Sequence, residues 1–472
     1  MPNYLSFLLL IFYLAYSPIQ AQNHPNLVFI LVDDLGWKDL GFMGSAAYET
    51  PNLDRWSQTG TVFTQAYAGA ANCAPSRAVL MSGQYPTRHG IYTVSPSTRG
   101  DAHARKLIPT PNVDHLSDSM LTLAEAFQQA GYRCGHVGKW HLGRDPLEQG
   151  FEWNRGGSGR GHPGKDGYFS PYNLDFLEDG PKGEYLSDRL TSEAIEFISA
   201  KDERPFFLYL PYYTVHTPLM GKPELREKYQ VREPINGQGH QADYAAMVEN
   251  MDHNVGRIFR TLDSLNLTQE TIVVFSSDNG GIATVSRQWP LRAGKGSYYE
   301  GGIRVPFVVA WPGQIAGGLP SDLPLSFLDM YPTLLRLCGL ELPAEKLLDG
   351  QDLSPYLLGK AMTDSMLERP LFWHFPIYLQ AYRRGQDDAR DPLFRTRPGT
   401  VMRQGKWKLH EYFEDGGLEL YDLSQDPGER INLAKAKPNV AAQLHGIMQA
   451  WREAQHAPVP QEINPLYQPE QK

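Results

Sequence analysis

Short apolar runs alternate with segments of helical periodicity along most of the chain. Five runs have the length of buried β-strands: Asn26–Val32, Arg133–Val137, Pro205–Leu210, Thr271–Ser276 and Val305–Trp311. Between them, apolar residues recur at helical spacing in Leu121–Ala130, Ser187–Ala200 and Gln241–Leu265. This alternation predicts an α/β fold in which helices cover both faces of a mostly parallel or mixed central sheet.

Local signals support two of these helices. Thr122 and Glu125 have the spacing of a capping box at the start of the first, and Gly131 follows its end. The third has a continuous apolar stripe, which we interpret as core packing and not as a cofactor-binding face: Tyr244, Val248, Met251, Val255, Ile258 and Leu262.

The pattern changes near residue 350. Lys406–Leu409 and Leu418–Leu423 read as two strands of a hairpin whose turn contains Gly416 and Gly417. A last helix is expected from about Val440 to Ala454, followed by a loose, Pro-rich tail. We therefore expect a larger domain at 22–365 and a smaller α+β domain with an antiparallel sheet at 366–472.

The N-terminal segment resembles an export signal. Leu5–Tyr16 is apolar but short for a membrane span, and Ala21 is a suitable cleavage position. The first residues lack Lys and Arg, so an N-terminal anchor or a buried strand remains an alternative. No later segment looks like a membrane helix. We expect a signal peptide at 1–21 and an exported protein, periplasmic or secreted.

Composition narrows the classes further. A net charge of −9 argues against a nucleic-acid-binding protein, which needs a basic face. The 44 Gly and 36 Pro disfavour a helical bundle. The three cysteines, Cys73, Cys134 and Cys338, are too few for a disulfide scaffold. An unpaired thiol in an exported protein needs a role or a modification.

Polar residues collect where predicted strands end. Asp33 and Asp34 follow the first strand, His216 the third, and Asp278 with Asn279 the fourth. Open parallel sheets bind ligands at this edge. A single Asp there is usually a helix cap or turn residue, but two acidic pairs require a cation to neutralise them. Their hard oxygen ligands favour Ca²⁺ or Mg²⁺ over a transition metal.

Cys73 is expected at the start of a helix. Pro75 suits the first turn and Gly83 the end. At a helix N-terminus a thiol can be an activated nucleophile, but Cys73 can equally be an inert buried cysteine. These residues alone leave both readings open.

The segment from Cys73 to Arg77, Cys-Ala-Pro-Ser-Arg, with Leu80 and Gly83 after it, is similar to the signature of the type I, formylglycine-dependent sulfatases. This arylsulfatase-like family belongs to the alkaline-phosphatase superfamily. Further segments resemble the family in the same order between residues 26 and 313: Asp33–Gly36, Gly138–Gly143, His216–Pro218, Ser277–Gly281 and Gly294–Gly296.

The resemblance implies a modified residue and a metal. A maturing, formylglycine-generating enzyme oxidises Cys73, and the hydrated aldehyde attacks sulfur. Its second hydroxyl then allows sulfate to be expelled, whereas an ordinary Ser would remain a stable sulfate ester. The same resemblance makes Asp33, Asp34, Asp278 and Asn279, with the oxygen of residue 73, the ligands of one Ca²⁺, with Mg²⁺ less favoured.

By the same resemblance, further side chains acquire roles. Arg77 stabilises the diol and the metal carboxylates, Lys139 contacts sulfate, and His141 hydrogen-bonds the formylglycine. His216 and Lys295 bind sulfate and protonate the leaving oxygen. Alone, His216 would be read as a structural histidine and Lys295 as a surface charge; the surrounding motifs favour function.

The polar segment from Trp373 to Arg397 is either a solvated loop or a lid that grips the substrate. As a lid it would offer His374, Arg383 and Arg384 to a sulfated sugar, because paired Arg donors match carboxylate and sulfate oxygens. A second wall is expected from Arg155, Arg160 and His162.

Together these features predict an exported sulfuric ester hydrolase acting on a sulfated polysaccharide or oligosaccharide. Two alternatives are a phosphoesterase or phosphonate hydrolase of the same superfamily, and a non-catalytic glycan-binding descendant. The first usually has a Ser or Thr nucleophile and ligands for two metals. The second would have lost the nucleophile or a metal Asp, and this chain keeps all of them.

Overall fold

A computed structural model describes residues 24–94, 96–164, 166–232, 241–286, 288–318, 320–361 and 363–469. The signal peptide expected at 1–21 lies outside these ranges. The strands in the described part are β1 (Asn26–Val32), β2 (Gly60–Phe63), β3 (Ala66–Tyr67), β4 (Arg133–Val137), β5 (Trp153–Arg155), β6 (Phe206–Pro211), β7 (Thr271–Ser277), β8 (Arg304–Val305), β9 (Phe307–Ala310), β10 (Pro320–Ser321), β11 (Leu325–Ser326), β12 (Leu371–Phe375), β13 (Leu379–Gln380), β14 (Phe394–Thr396), β15 (Gly399–Gln404), β16 (Trp407–Tyr412) and β17 (Gly417–Asp422).

The α-helices of the same ranges surround these strands. They are α1 (Pro51–Ser57), α2 (Cys73–Ser82), α3 (Pro86–His89), α4 (Leu123–Gln129), α5 (Leu186–Ser199), α6 (Pro223–Gln230), α7 (Ala242–Ser264), α8 (Glu300–Ile303), α9 (Met330–Leu337), α10 (Ser354–Leu357), α11 (Asp364–Leu367) and α12 (Pro438–Ala454). None of these helices combines the length and apolarity that crossing a membrane requires.

The central sheet is mixed, as predicted. Its order is β10-β2-β9-β7-β1-β6-β4-β5, and the block from β7 to β5 is parallel. β9 runs antiparallel to β7 and β2. The run predicted as one strand, Val305–Trp311, is divided at Pro306, which has no N–H to donate to a sheet ladder. Its first part, β8, pairs with β3 in a separate small sheet.

Two of the predicted helices show the expected local causes. Thr122 caps α4, and Glu125 bonds back to the Thr122 main chain, which completes the capping box. All six residues of the α7 stripe are buried against the sheet, so that stripe is core packing.

The C-terminal part contains the expected antiparallel sheet, in the order β12-β15-β16-β17. α12 packs on it, and Trp451 stacks on Phe372 with ring centroids 4.5 Å apart. The prediction of a loose tail after α12 is wrong within the described residues. Asn464 donates through its side chain to the carbonyls of Ala102 and Arg105, both at 2.8 Å. The tail is therefore fixed against the segment at 102–106.

Candidate active site

The carboxyl ends of β1 and β7 bring the two acidic pairs together. Asp33, Asp278 and Asn279 are fully buried, and Asp34 is 1% exposed. The main chain of Asp34 is left-handed, with φ 64°, which turns its side chain from the end of β1 toward its neighbours. The predicted convergence of these residues at one sheet edge is what the structure shows.

Cys73 begins α2 directly beside this cluster. Its Sγ lies 3.5 Å from Asp33 Oδ1. One ligand atom from each of Asp33, Asp34, Cys73 and Asp278 lies within 4.8 Å of the others. Burial and the neighbouring charge of Asp278 raise the pKa of Asp33 to about 7. Burial thus disfavours the charged form of Asp33, which a bound cation would stabilise.

An unpaired acceptor also points to a cation. Asn279 donates through Nδ2 to Asp34 Oδ1 at 2.8 Å, which leaves Asn279 Oδ1 buried without a partner among the described residues. Buried acceptors are almost always paired, so this oxygen fits a metal ligand. Three carboxylates and one amide oxygen form a hard donor set suited to Ca²⁺ or Mg²⁺.

Arg77 lies one helical turn after Cys73 and holds the cluster through Asp278. It is fully buried, and its Nε and Nη2 both lie 2.9 Å from Asp278 Oδ2. Its Nη1 donates to the Lys139 carbonyl at 2.7 Å. Arg77 thus joins β7 to the loop after β4 and orients Asp278.

Two lysines supply positive charge to the same cluster. Lys139 Nζ lies 2.6 Å from Asp33 Oδ2, and Lys295 Nζ lies 2.7 Å from Asp34 Oδ1. Although burial opposes ionisation, Lys295 holds the pKa of Asp34 below its usual value. Lys139 follows Gly138, where a Cβ would lie 2.0 Å from the Pro211 carbonyl oxygen. Only glycine permits this approach.

Two histidines face the cluster from separate loops. His216 Nε2 lies 3.7 Å from Asp34 Oδ2, and its Nδ1 donates to the Thr217 carbonyl at 2.7 Å. His141 has a left-handed main chain, with φ 67°, so the segment is not extended here, and Lys139 and His141 do not share a face in the way that residues two apart on a strand do. Burial lowers the pKa of both imidazoles. The positive charge of Lys295 adds to this effect at His216, and that of Lys139 adds to it at His141.

A cavity of about 320 Å³ opens above Cys73. Besides Cys73, it is lined by Asn72, Val94, Arg99, His141, Gly161, His162, His216, Thr217, Lys295, Leu379, Tyr382 and Arg395. A second cavity of about 900 Å³ adjoins it and shares Val94 and His141. The two cavities can therefore hold further groups of a ligand besides the group that contacts Cys73.

The structure does not bring every predicted substrate residue to this cavity. His374 is 2% exposed, and its ring nitrogens bond to Thr400 Oγ1 and to the Pro458 carbonyl, both at 2.9 Å. It is a structural residue of the C-terminal part, and its assignment to substrate binding is wrong. Arg383 and Arg384 are exposed at the end of the β13–β14 hairpin and do not line the cavity.

The second wall is formed only in part by the predicted residues. His162 lines the catalytic cavity, and Arg160 lines the adjoining one. Arg155 instead pairs with Glu193, with Nε 3.0 Å from Oε2, and lies outside both cavities.

Arg99, Tyr382 and Arg395 line the cavity but were not among the site residues predicted from the sequence. Arg395 lies on β14, where the sequence Phe-Arg-Thr already alternates like a strand. Arg99 lies in a turn before Gly100, and nothing in its sequence surroundings distinguishes it from a surface arginine.

A mixed α/β sheet with buried carboxylates at its edge and a cationic cavity above a helix start defines a hydrolase for anionic esters, of the alkaline-phosphatase-like fold. The sulfatase family model matches residues 25–340, and a model of the N-sulphoglucosamine sulphohydrolase C-terminal region matches residues 294–454. The chain belongs to the sulfatase family and is a sulfuric ester hydrolase.

Individual relatives agree with this membership. A sulfatase of Formosa agariphila is 31% identical, covering 93% of this chain and 90% of that protein. Human N-acetylgalactosamine-6-sulfatase is 32% identical, covering 93% and 87%. Among solved structures, Ps i-CgsB matches with a TM-score of 0.73 at 28% identity, covering 91% of this chain and 92% of that one.

Proposed function

We propose that this protein is an exported sulfatase that removes sulfate from a sulfated polysaccharide or oligosaccharide, with residue 73 as formylglycine and one Ca²⁺. The observation that carries the proposal is the position of Cys73 at the helix start, between buried oxygen ligands and the cationic cavity. The substrate class is supported by Ps i-CgsB, which has also been solved in complex with k-i-k-neocarrahexaose, at a TM-score of 0.72.

Asp33, Asp34, Asp278 and Asn279, with residue 73, would hold the cation. A Ca²⁺ held there would supply Lewis-acid polarisation of the sulfate ester and a lower pKa of the attacking hydroxyl. Residue 73 as hydrated formylglycine would provide that hydroxyl and a second one for release of sulfate.

The chain's own residues bind and move protons around these groups. Lys295, which lines the cavity, would neutralise the charge of sulfate, and the fully buried Lys139 adds positive charge through its contact with Asp33. His216 Nδ1 donates to the Thr217 carbonyl, so Nε2 faces the cavity, and the protonated form of the ring would donate its Nε2 proton to the leaving oxygen. Arg77 keeps Asp278 in place. The division of proton transfer between His141 and His216 is tested by comparing their Ala variants on substrates with good and poor leaving groups.

The decisive experiment combines mass spectrometry of the peptide that contains residue 73 with sulfate release. In active protein from the native host we expect the mass of formylglycine in place of cysteine. Cys73→Ala should lower sulfate release by at least about 10³-fold. Cys134→Ala, which removes another buried free thiol outside the cavity, is the matched control. Active protein that carries only an unmodified thiol would contradict the mechanism.

Export is proposed from the sequence of the first 21 residues. We expect the N-terminus of the mature protein to follow Ala21 when it is purified from the periplasm or medium. Recovery of full-length protein from the cytoplasm of the native host would contradict export and leave the enzymatic proposal intact.

A further inference from the structure

Two arginines in the catalytic cavity have no carboxylate partner. Arg99 is half-buried in the cavity wall, and its guanidinium forms no hydrogen bond or ion pair with any residue in the part of the chain the structure describes. Arg395 is 7% exposed and donates only to main-chain carbonyls, those of Gln380 at 2.8 Å and Lys295 at 3.1 Å. No Asp or Glu is among the residues that line this cavity.

The loop that carries Arg99 is fixed in place. Arg105 Nη1 donates to the carbonyls of Thr98 and Gly100, both at 2.6 Å. Gly100 is left-handed, with φ 87°, and a Cβ there would lie 2.6 Å from Phe394 Cε1. This close packing holds Arg99 beside the strand that carries Arg395. A guanidinium held in this way is preorganised for a ligand.

Arg395 is likewise built into the site. A Cβ on Gly296 would lie 2.7 Å from Arg395 Nη1, so the guanidinium packs on the loop that carries Lys295. The Tyr382 ring covers Arg395 at 3.6 Å from its Cζ. Tyr382 is 43% exposed and lines the cavity, which gives a flat aromatic surface next to the two arginines. Such surfaces suit sugar rings.

The positive charge of Arg99 and Arg395 comes in addition to the positive charge that would bind the sulfate ester itself. Lys295 and His216 already line the cavity beside Cys73, and the buried Lys139, paired with Asp33, adds positive charge behind it. Burial, and then the charge of Arg395, lowers the pKa of Arg99, because the two cations repel each other without an anion between them. An anionic group bound at Arg99 would remove that repulsion and accept paired guanidinium hydrogen bonds.

We propose that Arg99 and Arg395 form a subsite for a second anionic group of the substrate. The enzyme then selects carbohydrates that carry a carboxylate or another sulfate close to the sulfate ester that is cleaved. Arg99 supplies the free donors, and Arg395 supplies charge and supports Tyr382. This inference rests on the proposed sulfatase function and specifies its substrate class.

The test compares kcat/KM for three sulfated disaccharides with the same scissile ester. One has a neutral second sugar, one has a uronic acid, and one carries a second sulfate, so the two anion sources are separated. We expect wild type to prefer at least one of the anionic disaccharides. Arg99→Gln should lower that preference roughly 10- to 100-fold, the value of a hydrogen bond to a charged group. Arg99→Lys should give an intermediate preference.

Arg383→Gln is the matched control, because Arg383 is an exposed arginine on the β13–β14 hairpin and does not line the cavity. It should leave the preference unchanged. Equal kcat/KM for all three disaccharides in wild type, or an unchanged preference in Arg99→Gln, overturns the inference. In either case hydrolysis of 4-methylumbelliferyl sulfate by wild type shows that the sulfatase proposal stands. Failure of correctly modified protein to hydrolyse any sulfate ester overturns both.

Discussion

The buried ion pair between Lys408 and Glu300 joins the C-terminal sheet to the catalytic loop. Lys408 lies on β16 and is fully buried, with Nζ 2.8 Å from Glu300 Oε1 and 3.2 Å from Glu429 Oε1. Glu300 begins α8, five residues after Lys295. Lys408→Met keeps an unbranched side chain of similar length but leaves two buried carboxylates without their shared cation. We predict a large loss of stability.

The size of this loss follows from the charge environment of Glu300. Burial opposes ionisation of Glu300, yet Lys408 and then Arg304 hold its pKa at about 2, against an ordinary 4.5. At about 1.4 kcal/mol per pKa unit, this shift corresponds to roughly 3 kcal/mol. Removing one partner of a buried pair typically costs about 3–5 kcal/mol, which agrees. We expect the free energy of unfolding to fall by about 3–5 kcal/mol at pH 7.

The assay is urea denaturation followed by circular dichroism. Lys406→Met is the control: Lys406 Nζ lies 2.7 Å from Asp422 Oδ2, but its side chain is 51% exposed, so we expect a loss of at most about 1 kcal/mol. A depressed carboxyl pKa stabilises the fold above the unfolded value and loses this effect as pH falls toward the folded value. The difference between wild type and Lys408→Met should therefore shrink as pH falls from 4.5 toward 2. Equal losses in the two variants would refute the reasoning.

Two further predictions concern the site and its surroundings. Treatment with EGTA should abolish sulfate release, and Ca²⁺ should restore it at a lower concentration than Mg²⁺. Asn279→Ala should raise the Ca²⁺ concentration that is required. Full activity of metal-free protein would exclude the cation site. His374→Ala should lower the free energy of unfolding by about 1–3 kcal/mol, because it leaves the part-buried Pro458 carbonyl without its donor. Its kcat/KM should change by less than about twofold, and a large kinetic defect without destabilisation would return His374 to the substrate site.

Much of the fold and the centre of the site could be predicted from local periodicity and from the sequence motifs. β1 has the predicted limits, because a continuous apolar run that ends at Asp33 leaves little freedom in where a buried strand stops, and β4 has its predicted limits although it contains Arg133 and His136. The metal cluster was predictable because parallel strands present their carboxyl ends at one edge. Within the described residues, these are features decided by neighbours in sequence or by a general rule of sheet topology.

The substrate residues were harder to predict because tertiary packing decides them. His374 and Arg395 lie in the same polar segment, and only the pairing of β13 with β14 turns Arg395 toward the cavity. The pairing of β12 with β15 places His374 beside Thr400 in the interior. The position of Arg99 depends on the packing of its neighbour Gly100 against Phe394, almost 300 residues later in the chain. The sequence around residue 99 contains no pattern that predicts this contact.

The attachment of the tail has a consequence for the order in which the enzyme becomes complete during synthesis. Asn464 binds the segment at 102–106, and Arg105 in that segment holds the turn that carries Arg99. A nascent chain that has not yet emerged beyond residue 456 already contains Cys73 and every proposed metal ligand. It still lacks the Asn464 hydrogen bonds to that segment, so one support of the cavity wall that carries Arg99 forms only after residue 464 has been synthesised. Proteolysis after residue 456 should therefore weaken the recognition of sugars more than the cleavage of simple esters.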